Sequence, residues 1–87
     1  MSEYNREYIA DKLRKELDAT YITVDDLSDG CGAKFQALIV SPKFESKSLL
    51  ERHRMVNSIL AEEMKSIHAF TQKTLTPEQW KKQKPQS

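Results

Sequence analysis

Apolar residues recur at two periods along the chain, and each change of period marks a new element. Tyr4, Ile9, Leu13 and Leu17, with Tyr8 beside them, follow one another at spacings of three to five and predict a helix over 3–19. Charges fill its other face, where Asp11/Lys15 and Lys12/Glu16 stand one turn apart. The period then falls to two: Ile22 and Val24 alternate with Thr23 and Asp25, the pattern of a half-buried strand. Ser28-Asp29-Gly30-Cys31-Gly32 supplies the residues of a reversal. A second strand over 34–40 completes a hairpin. Its run Ala37-Leu38-Ile39-Val40 is apolar on both parities, which predicts a central strand covered on both faces. Pro42 ends it, and a polar loop over 43–48 leads to a second helix over 49–65, whose stripe is Leu49, Val56, Leu60 and Met64 with Ile59 flanking. Residues 68–75, carrying Phe70, read as a third strand. Thr76-Pro77-Glu78-Gln79 opens a last short helix with a capping box, Trp80 anchors it, and 81–87 should fray.

The order is therefore α-β-β-α-β-α. A helix between the second and third strands makes a crossover of parallel sense, expected right-handed. The expected fold is α/β in the α+β sense: one domain over 1–87, with a three-stranded mixed sheet packed with helices. This topology resembles the KH-like arrangement and raises a nucleic-acid reading. The chain has 87 residues and is 38% hydrophobic, with three Phe, three Tyr and one Trp, too many apolar anchors for a disordered chain. Its 14 basic and 13 acidic residues leave a net charge of +1, so no global field draws nucleic acid or an anionic membrane. No apolar run approaches the roughly 20 residues of a membrane helix. The first six residues lack a secretory pattern, and Glu3 and Glu7 argue against a transit peptide. A single cysteine cannot form an intramolecular disulfide and fits a reducing compartment, the cytosol or the nucleus.

Three residues have coordinating or nucleophilic character: Cys31, His53 and His68. Cys31 lies between two glycines in the hairpin turn, either tucked under the loop as a small apolar residue or left accessible as a functional thiol. His53 falls within the arc of Leu49, Val56 and Leu60 and reads as a hydrogen-bonded core or boundary residue. Arg52 flanks the stripe and Arg54 points nearly opposite, so the two do not form one patch. His68 opens the third strand at the sheet's edge and, on composition alone, reads as a capping or surface histidine. Two histidines without a strained nucleophile motif assemble no hydrolase, so an enzyme is not expected. A closed zinc site normally takes four protein ligands, and this chain offers three at most. The GxxG loop with which KH domains grip nucleic acid is absent.

Phe44-Glu45-Ser46-Lys47-Ser48-Leu49-Leu50-Glu51-Arg52-His53-Arg54-Met55-Val56-Asn57 resembles the signature of the BolA family, an Arg-His-Arg-x-Val-Asn stretch after a Phe-x-Gly-Lys-like loop. Downstream, Ile67-His68-Ala69-Phe70 and the run from Lys73 to Trp80 resemble the end of its cytosolic eukaryotic branch. The likeness covers essentially the whole chain. Ser46 stands where the family usually has glycine, and Ser48 where this branch often has proline; both departures concern loop geometry. The resemblance implies a partner of monothiol glutaredoxins, forming a heterodimer or heterotrimer bridged by a [2Fe-2S] cluster, with bound glutathione and no cofactor when alone as a monomer. It places the iron ligands on Cys31, in the loop between the first two strands, and His68, before the third; it assigns no such role to His53. The ligand number agrees: a [2Fe-2S] cluster takes four ligands, and one Cys with one His supplies half. The expected function is an adaptor in iron–sulfur trafficking and iron homeostasis in the cytosol, with the nucleus as a second compartment. The alternative is a KH-like nucleic-acid-binding or transcription-regulating protein, and a thiol enzyme stands far behind, since no activating base adjoins Cys31.

Overall fold

Asn5 starts the first helix by accepting a hydrogen bond from the Tyr8 amide on its side-chain oxygen (2.8 Å). In the computed structural model, which describes residues 5–28 and 32–83, this helix, α1, spans Arg6–Leu17. It ends at Asp18, whose left-handed φ of 49° turns the chain. Ile9, Leu13 and Leu17 are buried, as their spacing predicts, while Tyr4 lies outside the described residues. The expected one-turn ion pairs do not form. Asp11 pairs instead with Arg14, and Lys12 reaches across the fold to Glu63.

Strands β1 (Tyr21–Asp26) and β2 (Lys34–Val40) pair antiparallel, and β2 pairs in parallel with β3 (Ala69–Leu75), giving the order β1-β2-β3. The mixed sheet and its central strand are those expected. On one face Phe35, Ala37 and Ile39 of β2 meet α1 and the second helix, with Val24, Phe44, Val56 and Leu60 completing the core. The other face is only partly covered, contrary to the apolar run of β2. Gln36 is exposed and Leu38 half-buried, because among the described elements only the short α3 (Pro77–Gln83) reaches that side. Trp80 anchors α3 by stacking on Tyr21 of β1, with ring centroids 4.8 Å apart. The capping box forms as read: Thr76 and Gln79 exchange side-chain-to-amide bonds of 3.1 and 2.9 Å. The helix continues through Gln83, past the point where fraying was expected.

The loop over 43–48 is less polar than its composition suggests. A 3₁₀ turn, Pro42–Phe44, drives the Phe44 ring fully into the core. Ser41, also fully buried, donates to the carbonyl of Leu17 and so satisfies an otherwise orphaned acceptor at the end of α1. Ser46 holds a left-handed φ of 66°. This is the backbone for which glycine is suited, and it gives a physical reason for the glycine of the family signature. Ser46→Gly should therefore stabilise the fold by roughly 0.5–1 kcal/mol; an unchanged or lower denaturation midpoint would contradict this.

Helix α2 spans Leu49–Ile59, shorter than the 49–65 expected, and a separate 3₁₀ turn, Glu63–Lys65, follows. Ser48 caps it with a full capping box: its hydroxyl accepts from the Glu51 amide (3.1 Å), and the Glu51 carboxylate accepts from the Ser48 amide (2.9 Å). That backbone bond holds the Glu51 carboxyl below the usual range. Leu49 does not belong to the buried stripe; it is 63% exposed. The first turn of α2 overhangs the edge of the sheet, and the inward position beside Val56 is taken by Arg52, only 7% exposed.

The break after α2 carries Glu63 inward, where one carboxylate oxygen accepts 2.7 Å bonds from both the Tyr8 hydroxyl and the Lys12 ammonium. Burial pushes the Glu63 carboxyl up, but these two donors outweigh it and hold the group below its ordinary value, while the pairing raises Lys12. A lowered carboxyl contributes stability above its unfolded pKa of about 4.3 and loses it as pH falls through the folded value; a raised lysine contributes below about 10.4 and loses it above. Lys12→Met should therefore lower the Tm at pH 7, and the gap from the native protein should close as pH is lowered below 4. A gap that stays constant with pH would contradict the pairing.

Candidate functional site

The hairpin connection is fixed at both its bases. At the end of β1 the Ser28 amide donates to the Asp26 carboxylate (2.9 Å), and the Ser28 hydroxyl accepts from the Lys34 amide (3.0 Å). The Ser28 hydroxyl and amide together hold the Asp26 carboxyl below its ordinary range. At the start of β2 the carbonyl of Ala33 accepts from two amides, those of His68 (2.8 Å) and Ala69 (3.2 Å). The loop between the first two strands and the residue before the third are thus joined by backbone bonds.

Gly32 makes the approach closer. Its φ of 130° is one that side-chain-bearing residues rarely adopt, and a Cβ added there would lie 3.1 Å from the Cβ of His68 and 3.5 Å from its Cγ. The glycine is therefore a cradle for the histidine. The His68 ring is exposed and makes no hydrogen bond to any described residue, leaving its nitrogens available as donors to a metal. Cys31 lies outside the described residues, one peptide bond from Gly32.

This donor set fits half of a [2Fe-2S] cluster: a soft thiolate and an imidazole, with ligands from elsewhere required for the rest. The described residues contain no group of three or more His, Cys, Asp or Glu placed to hold a metal ion. A centre built on His68 therefore draws further ligands from beyond them.

His53 is remote from this end. It is half-buried on α2 beside a groove that includes Thr74, six residues along the chain from His68. It is the boundary residue expected, but its ring makes no hydrogen bond to a described residue. Arg52 donates from Nε to the Lys47 carbonyl (3.1 Å) and from Nη1 to the Thr74 carbonyl (3.2 Å) and Gln79 Oε1 (3.0 Å). It sits over the Phe44 ring at 5.8 Å. One guanidinium thus ties the start of α2 to the end of β3 and the cap of α3. Its neighbour Arg54 is exposed, so the two arginines form no shared patch, as their spacing implied.

Sequence reasoning took Arg52 for a flanking charge and the glycines for simple turn formers. The signals were a charged residue inside an apolar arc and a glycine one step from the strand start.

A family model described as BolA-like protein matches residues 13–79. BolA-like protein 2 of Mus musculus is 52% identical over 83 residues, covering 94% of this chain and 96% of that protein. Its Homo sapiens counterpart is 49% identical with the same coverage. Among solved structures, a bol-like protein from Babesia bovis superposes with a TM-score of 0.91 at 46% identity, covering 97% of this chain and 98% of that one. The solution structure of yeast Fra2 gives 0.72 at 37% identity, covering 92% and 87%. With a family model spanning most of the chain and half-identical relatives along nearly their whole length, this protein belongs to the BolA family.

Proposed function

We propose that this protein is an adaptor that binds a monothiol glutaredoxin and shares with it a bridging [2Fe-2S] cluster, held on this side by Cys31 and His68. The observation that supports the reading is the close approach of Gly32, the residue that follows Cys31 in sequence, to the side chain of His68, whose residue is exposed. The glutaredoxin cysteine and the thiol of bound glutathione would complete the ligand set. A cluster with histidine in place of thiolate is less negative and has a higher potential than an all-thiolate one, which suits one that is passed on or sensed. This chain's own part is to orient the ligands. Ala33 fixes the backbone of His68 through two hydrogen bonds, and Gly32 leaves the ring the room it occupies. The protein would work in the cytosol, and also the nucleus, in cluster trafficking and iron homeostasis, without catalysing a reaction itself.

The test is to mix the protein with a monothiol glutaredoxin, glutathione, iron and sulfide, and to record elution volume and visible circular dichroism together. A heterocomplex whose spectrum differs from that of the glutaredoxin homodimer supports the adaptor. An unchanged glutaredoxin spectrum with no heterocomplex overturns it.

A further inference from the structure

A groove of about 480 Å³ lies at the other end of β3. Four consecutive β3 residues, Gln72, Lys73, Thr74 and Leu75, line it. Successive side chains of a strand point to opposite faces, so the groove runs along the strand's edge rather than over one face. No other described strand pairs with that edge, and Arg52 holds its Thr74 carbonyl. Leu49 and His53 of α2 form one wall, and Gln79 and Gln83 of α3 the other.

Its polar groups are left short of partners. Thr74 is 3% exposed, and its hydroxyl is buried with no hydrogen bond; the Gln72 side-chain oxygen is likewise buried and unpartnered. Arg52, nine-tenths buried, uses Nε and Nη1 on the protein, while its Nη2 has no partner among the described residues. The His53 ring is also unbonded among them. Lys47 and Lys73 add positive charge, and no Asp or Glu lines the groove. A partly free guanidinium beside two lysines, with no acidic side chain in the lining, is suited to a carboxylate.

We infer that this groove binds an extended acidic segment of a partner protein, with a carboxylate set against Arg52 and Lys73 and an apolar side chain against Leu49 and Leu75. The edge position favours extended chain, and the apolar wall and near-neutral protein favour a polypeptide over nucleic acid. The groove lies about 20 Å along β3 from His68, so this binding does not rest on the shared-cluster reading.

The test titrates the ¹⁵N-labelled protein, without iron or glutaredoxin, with a capped pentapeptide of sequence leucine-aspartate-valine-glutamate-leucine. Saturable amide shifts are expected at His53, Gln72 and Thr74 and not at Gly32. Exchanging the two acids for their amides, or the exposed Lys73→Glu variant, should each weaken binding about tenfold or more. Absence of shifts, equal affinity for the amide peptide, or displacement of the peptide by an equimolar eight-residue oligothymidylate would overturn the inference.

Discussion

Arg52→Leu is expected to be among the most destabilising single substitutions outside the apolar core, at about 3 kcal/mol. The leucine fits the inward stripe of α2, so the loss is not one of packing. It comes chiefly from the buried carbonyl of Thr74, and in part from the part-buried carbonyl of Lys47, which both lose their charged donor. Gln79 retains the Thr76 amide, so the cap of α3 persists but is no longer tied to α2. At roughly 4–8 °C per kcal/mol for a domain of this size, the Tm should fall by about 12–24 °C. Lysine should restore less than half of this, because a point charge cannot serve three acceptors in the plane of a guanidinium. A fall below 4 °C, or full rescue by lysine, would show that the three bonds contribute little.

Gly32→Val should have the second-largest effect, and a double one. A β-branched residue at φ 130° carries backbone strain of about 1–3 kcal/mol, and its Cβ would meet that of His68 at 3.1 Å. Relief requires His68 to move, which lengthens the bonds from the Ala33 carbonyl that set its backbone. The expected result is a Tm lower by about 8 °C or more, together with large chemical-shift changes at His68 and Ala69 and almost none at His53. A variant that is destabilised with His68 unmoved would mean that the glycine serves the backbone alone.

Much of the fold was legible because periodicity reports phase. The bounds of β2, the hairpin, the parallel crossover pairing and the Thr76–Gln79 capping box all follow from local pattern. Periodicity does not report depth. Leu49 lies in phase with Val56 yet projects past the sheet, and Leu38 belongs to an apolar run but faces a side that α3 only partly covers. The end of α2 at Ile59 has no glycine or proline to announce it; the turn is set by tertiary bonds that bring Glu63 to Tyr8 and Lys12. Ser48-x-x-Glu51 is a capping signal legible in the sequence at the end of the polar loop.

At the candidate site, the assignment of Cys31 and His68 as ligands comes from the resemblance, since no local pattern connects residues 31 and 68. What the fold adds is the packing of Gly32 on the His68 side chain and the two bonds to the Ala33 carbonyl, contacts that arise only once β2 and β3 lie side by side.

The ligand set can be read directly by pulsed electron paramagnetic resonance of the reduced heterocomplex, prepared with this protein labelled with ¹⁵N-histidine and an unlabelled glutaredoxin. A strong coupling from one labelled imidazole nitrogen is expected, present in His53→Gln and absent in His68→Ala. A spectrum without imidazole coupling, or a coupling that survives His68→Ala, would contradict a cluster shared through this histidine.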